Sequence, residues 1–154
     1  MSSKILDTNL YMQKSNLNYC SVNAVRTILE YYFEKPPTRA TIKKKLKTDS
    51  DGTFSEDILE VVSNYNLLFD KVEADDIDDK LLLDTIKNNN LILISYMAGL
   101  DESHSSVICG YKKIKGITYT VLCDSWLGYY EIPFSMLKVL MDKDNAMVLV
   151  FNEV

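Results

Sequence analysis

The sequence predicts an α+β fold in which N-terminal helices pack on a C-terminal antiparallel β-sheet. Three observations carry this. From Cys20 to Tyr65 apolar residues recur mostly at three- and four-residue spacing, the period of a helix with one buried face. Beyond them the pattern shifts to short β-branched and aromatic runs bounded by turn residues. Two of those runs are joined by Lys112 to Gly116, short enough to make them a hairpin and so to fix an antiparallel sheet.

Taken in order, residues 5–18 lack periodicity and predict an extended lead-in that carries Gln13 toward the first helix, with Asn16 or Asn18 available as a cap. From Cys20 to about Phe33, the residues Val22, Val25, Ile28, Leu29 and Tyr32 fall on one stripe, so this helix is expected to be central and largely buried, with Tyr31, Tyr32 and Phe33 packing on the sheet. Lys35-Pro36-Pro37-Thr38 ends it, because proline has no backbone N–H to donate and disfavours helix in the residue before it. Thr38 caps a short basic helix to about Leu46, and after a polar loop Ser55, with Glu56 or Asp57, opens a third helix through Ile58, Leu59, Val62 and Tyr65. A strand from Leu67 to Val72 and an acidic helix at 77–88 follow. Five strands close the chain: Leu91 to Met97, Ser105 to Tyr111, Ile117 to Cys123, Tyr129 to Ile132 and Ala146 to Phe151. No linker or internal repeat divides residues 1–154, which predicts one domain.

Composition excludes several classes of function. The chain has 154 residues, 47% hydrophobic and 25% charged, with a net charge of −5, which is ordinary for a soluble globular protein. The cluster Lys43-Lys44-Lys45 with Lys47 is short and local, the solvated face of a helix rather than a phosphate-tracking surface, so no nucleic-acid partner is expected. The N-terminus carries no secretion signal, and no window reaches the roughly 18 apolar residues of a membrane span. A cytoplasmic protein without membrane insertion is the expectation. Cys20, Cys109 and Cys123 form neither a CxxC pair nor an even disulfide framework, and one histidine supplies a zinc site poorly, so reduced thiols and no metal or cofactor are expected.

The chemistry centres on Cys20. A cysteine at the start of a helix meets backbone N–H groups and the positive end of the macrodipole, which favour thiolate over thiol. The single histidine, His104, stands just before the apolar run Val107-Ile108-Cys109, and Asp124 follows Val121-Leu122-Cys123 at the end of the hairpin partner. Adjacent strand ends can bring these side chains together as base and orienting acid for a thiol nucleophile. Gln13, seven residues before Cys20, can offer its side-chain amide to a developing oxyanion beside the Cys20 N–H. Cys109 and Cys123 lie in apolar runs and are expected to pack. Trp126, Tyr129 and Tyr130, beside the acid, are either substrate-groove or core residues.

The words Gln13, Tyr19-Cys20-Ser21-Val22-Asn23-Ala24, Asp51-Gly52-Thr53, Ser103-His104-Ser105-Ser106-Val107-Ile108-Cys109-Gly110-Tyr111 and Val121-Leu122-Cys123-Asp124-Ser125 resemble, in order and spacing, the bacteriocin-processing, double-glycine leader peptidases. The resemblance runs from about Leu10 to Phe151. It implies a papain-like cysteine peptidase fold, with Cys20 as nucleophile, His104 as base, Asp124 as orienting acid and Gln13 as oxyanion donor. It also implies a peptide or precursor-peptide substrate and, as a partner, a peptide-exporting transporter, these peptidases occurring both as transporter domains and free-standing. Met1 and the end at Val154 favour the free-standing form. The chain departs from the family pattern at Ser21, where glycine usually follows the nucleophile, and at Ser125, where proline usually follows the acid. Gln13 stands one residue further upstream than usual, with Asn16 or Asn18 as substitutes in its role. Two other functions stay open: an acyltransferase or amidase using the same thioester, and a degenerate peptidase fold that binds peptide without cutting it.

Overall fold

The computed structural model describes residues 2–13, 19–49, 53, 55–97, 103–144 and 147–152. Its centre is the long strand Ser103–Ile114, labelled β4 in a chain order of β1 Ser2–Ile5, α1 Cys20–Tyr32, α2 Arg39–Lys45, α3 Ser55–Asn64, β2 Phe69–Val72, α4 Asp79–Lys87, β3 Ile92–Met97, β4, β5 Ile117–Asp124, β6 Gly128–Pro133, α5 Phe134–Asp144 and β7 Val148–Phe151. A short 3₁₀ turn, Ala74–Asp76, precedes α4. The strands form one antiparallel sheet in the order β2-β7-β3-β4-β5-β6. The predicted α+β architecture, helices first and strands afterwards, is the one observed.

β4 is long enough to take two neighbours along one edge. β3 pairs with its first half, Tyr96 opposite His104, and β1 pairs with its second half, Ile5 opposite Gly110. The sequence predicted an extended lead-in over 5–18 and no strand before it; residues 2–5 are a strand because β4 continues past the end of β3 and leaves hydrogen-bonding groups to be satisfied. Gly110 permits the approach, since a Cβ there would lie 2.6 Å from the Lys4 carbonyl. The β4–β5 turn has Lys115 at φ 52° and Gly116 at φ 78°, the paired positive φ of a two-residue type I′ hairpin.

α1 packs on β4 and β3, burying Val22, Val25, Ile28 and Leu29 completely. Tyr31 and Tyr32 reach the chain just before β3: the Tyr31 hydroxyl donates to the Asn89 carbonyl at 2.7 Å, and the Tyr32 hydroxyl accepts from the Leu91 N–H at 2.9 Å. Phe33 instead meets Tyr65 beyond α3, with centroids 6.3 Å apart. Thr38 caps α2 by accepting from the Thr41 N–H, and Asp78 caps α4 by accepting from the Leu81 N–H at 2.8 Å. The sequence did not predict α5. Phe134, Leu137 and Met141 are buried at helical spacing, but Met136 and Val139 are apolar and exposed, so no single stripe stands out. Asn16, Asn18, Asp51 and Gly52, invoked above as caps or motif, lie outside the described residues. Among the described residues, no helix is long and apolar enough to cross a membrane.

Candidate active site

Cys20 is the first residue of α1, with Tyr19 at the cap position making no side-chain cap hydrogen bond. His104, the second residue of β4, and Asp124, the last of β5, are both fully buried. Sheet pairing brings the last two together: His104 Nε2 and Asp124 Oδ1 are 2.9 Å apart. An ionised carboxylate can only accept, so Nε2 carries the proton. The neutral ring then presents a lone pair at Nδ1, which is buried and without a nitrogen or oxygen partner among the described residues. The Cys20 thiol lies close enough to His104 for each to shift the other's pKa.

Those shifts have opposing causes. Burial alone would raise the Cys20 pKa, but hydrogen bonding to His104 and to the Ser105 backbone overcomes it and the thiol is lowered. Burial would lower His104, and Asp124 and Cys20 together push it up to about 9. Burial would raise Asp124, and His104 with the Trp126 N–H holds it below the usual carboxylate range. This pattern favours thiolate facing imidazolium. Cys109 is the contrast: burial pushes its thiol up to about 12, and its Sγ lies 3.6 Å from the Val121 carbonyl. Burial raises Cys123 as well, and all three cysteines are free thiols.

Asp124 does two jobs. It ends β5 and accepts from the N–H groups of Trp126 at 2.8 Å and Leu127 at 3.1 Å, which closes the turn into β6. Its other oxygen accepts from the Tyr96 hydroxyl at 2.8 Å. Asp124 thus closes the turn and bonds His104 at the same time. The His104 ring is stacked by Trp126, centroids 3.9 Å apart and planes 20° apart, and met edge-on by Tyr96 at 5.5 Å. These rings keep water off the His104–Asp124 hydrogen bond, which a low dielectric strengthens.

Gln13 is half-buried and anchored on two sides. Its N–H donates to the Ser125 carbonyl at 2.9 Å, and its side-chain Oε1 accepts from Asn23 Nδ2 at 2.8 Å. Ser21, the residue after Cys20, is buried with its hydroxyl 2.8 Å from that of Ser105, the residue after His104. Reasoning from sequence missed Tyr96, Asn23 and Ser105. Only the β3–β4 register could have pointed to Tyr96, and nothing local marks the other two.

Two openings adjoin these residues. A cavity of about 10 Å³, bordered by Cys20, Asn23, Ser105 and Cys123, lies beside the thiol. An apolar groove of about 330 Å³ runs between β5, β6 and α5, lined by Trp126, Leu127, Tyr130, Met136 and Leu140 and by Tyr96 at its inner end. Of the three aromatic residues that could be groove or core, Trp126 and Tyr130 line this groove. Tyr129 does not: its hydroxyl donates to the Thr8 carbonyl at 2.5 Å and ties down the lead-in. Among the described residues, no group of three or more His, Cys, Asp or Glu could hold a metal ion.

A cysteine at a helix start, facing a histidine on a neighbouring strand, defines a papain-like cysteine peptidase fold. The chain belongs to the Peptidase_C39 like family, whose profile it matches over residues 5–139. Three solved structures share the fold. A double-glycine-motif protease from an AMS/PCAT transporter, crystallised in complex with the leader peptide, is 16% identical with a TM-score of 0.68, covering 97% of this chain and 94% of that one. The peptidase domain of Streptococcus ComA, a bi-functional ABC transporter of a quorum-sensing pathway, is 15% identical at 0.68, covering 92% and 96%. A candidate C39-like peptidase from Bacillus anthracis is 12% identical at 0.74, covering 100% and 99%. A search of curated proteins returned no match.

Proposed function

We propose that residues 1–154 act as one cytoplasmic endopeptidase domain that cleaves a peptide through a Cys20 thioester. The observation that supports this is the 2.9 Å bond from His104 Nε2 to Asp124 Oδ1, made by a histidine close enough to Cys20 to lower its thiol pKa. The Cys20 thiolate attacks the scissile carbonyl carbon, and the resulting oxyanion is held by the Gln13 side-chain amide and the Cys20 N–H. As the tetrahedral intermediate collapses, the C–N bond breaks and imidazolium His104 protonates the departing amine, leaving the acyl group on Sγ. Water then attacks the thioester with His104 as base, and the thiolate is regenerated with release of the carboxylic acid.

The site favours a substrate small at the cleaved bond and apolar further along. The preference for a small residue is carried over from the similar double-glycine-motif protease, and the opening beside Cys20, about 10 Å³ with room for about one water, offers no pocket for a large side chain. The groove starting at Tyr96 and Trp126 suits apolar side chains of an extended or helical peptide. A double-glycine-type leader has this combination, and a precursor of that kind would reach the enzyme beside a peptide-exporting transporter. The test is cleavage of a precursor with a Gly-Gly junction by wild type and Cys20→Ala. Loss of cleavage with an unchanged circular-dichroism spectrum is expected, and unchanged turnover in the variant would sink the proposal.

A further inference from the structure

We propose that Asn23 is a positioning residue that sets which end of the Gln13 amide faces the reacting carbonyl. The inference rests on the peptidase reading above and deepens it. A glutamine amide has two ends of nearly equal size and opposite chemistry. Only its NH₂ end can donate to an oxyanion, while its oxygen end would repel one. Nothing in the shape of Gln13 chooses between them.

Asn23 makes the choice. Its Nδ2 donates to Gln13 Oε1 at 2.8 Å, which commits the oxygen end and directs the donor end away from Asn23. Asn23 can do this because it is rigid. It is only 5% exposed and lies on α1 three residues after Cys20, close to one helical turn, so it shares a helix face with the nucleophile. The same residue borders the small cavity beside the thiol. The Gln13 backbone is fixed independently by its N–H bond to the Ser125 carbonyl, one residue past Asp124. Gln13 is thus held at its backbone by the acid's turn and at its side chain by the nucleophile's helix.

The experiment is a double-mutant cycle on hydrolysis of a peptidyl-Gly-Gly-aminomethylcoumarin amide by wild type, Gln13→Ala, Asn23→Ala and the double variant. Gln13→Ala is expected to lower kcat about 10²- to 10³-fold, and Asn23→Ala about tenfold or more, with KM unchanged. The double variant should match Gln13→Ala alone, because Asn23 acts only through that side chain. The pH dependence of Cys20 alkylation should not move in Asn23→Ala, whereas general disruption of the α1 start would move it. Asn23→Asp keeps the shape but replaces the donor by an acceptor. It should turn the amide over and lose at least as much as Asn23→Ala, which carries the test if the alanine variant fails to fold. Wild-type rates in either Asn23 variant, or additive losses in the double variant, overturn the positioning role. Absence of Cys20-dependent release by the wild-type protein overturns the peptidase reading and this inference with it.

Discussion

The hydroxyls of Ser21 and Ser105 lie 2.8 Å apart and join the residue after Cys20 to the residue after His104. Helix α1 and strand β4 are far apart in sequence, and this part-buried contact ties them together beside Cys20 and His104. It also gives a physical account of serine at position 21, where the related peptidases usually have glycine: the hydroxyl has a partner waiting on β4. Ser105→Ala removes that partner and leaves the Ser21 hydroxyl in a site shielded from water, at a cost of about 1–3 kcal/mol. Urea unfolding should report that loss for Ser105→Ala and a smaller one for the double variant Ser21→Ala, Ser105→Ala, in which no polar group is stranded. A double variant less stable than Ser105→Ala would contradict this.

The pKa directions fix the pH behaviour. With Cys20 lowered and His104 raised to about 9, the pH range in which thiolate and imidazolium coexist is widened from both sides, with its upper edge at about pH 9. Iodoacetamide should alkylate Cys20 well below pH 8.5, about the value for a free cysteine, while Cys109 and Cys123 stay inert. Turnover should rise with Cys20 ionisation and fall through about pH 9 as His104 loses its proton. The stability contribution follows the same sign. A histidine raised from its ordinary value of 6.5 stabilises the fold fully below that value and loses the contribution as pH rises through about 9. The alkaline fall in Tm should be shallower in His104→Asn; an identical fall would show that His104 does not contribute it.

Asp124→Asn tests the orientation of the ring rather than its charge alone. The amide can offer its NH₂ end to Nε2, which pushes the imidazole proton onto Nδ1 and points a donor, not a lone pair, at the thiol. The corresponding change in serine peptidases costs about 10⁴ in kcat, and a loss of about 10²- to 10⁴-fold is expected here. The Trp126 and Leu127 N–H groups bond the same Oδ1 that meets Nε2, so turning the NH₂ end to Nε2 also removes their acceptor, and a Tm fall equivalent to about 1–3 kcal/mol should accompany the loss of kcat. An unchanged Tm would show that the amide oxygen, and the ring tautomer with it, stays in place. A collapsed Tm would mean that the variant reports on the turn instead.

How much of this was legible in the sequence depended on whether the signal was local. Cys20 at a helix start, the Thr38 cap and the Lys115-Gly116 hairpin were each written into a few adjacent residues. His104 and Asp124 could be paired because one hairpin joins their strands. β1 was not legible, since Ser2–Ile5 is a strand only because β4 outruns β3. α5 was hidden by the exposed Met136 and Val139, which blur its stripe. That exposure is intelligible for Met136, which lines the groove and so faces an opening rather than the core. Tyr96 and Asn23 act across strand register and across the lead-in, contacts no local spacing encodes.

The groove makes a separable prediction about binding. Met136 lines it from α5 and is 57% exposed, whereas His104 and Asp124 are fully buried on β4 and β5, so a charge there need not disturb the reacting groups. In Met136→Lys an apolar peptide side chain would have to lie against an ammonium group that must keep its water. Losing one such apolar contact is worth about 1–3 kcal/mol, or roughly 10- to 200-fold. The loss should fall on KM for a precursor that carries apolar residues before Gly-Gly, with kcat close to wild type. A short Gly-Gly amide that does not reach the groove should be cleaved equally by both proteins. Because the side chain is largely exposed, the Tm should change by less than the equivalent of about 0.5 kcal/mol. If both substrates lost turnover in parallel, the groove would be acting on the thiol site rather than on peptide binding, and the division of labour between Cys20 and α5 would be wrong.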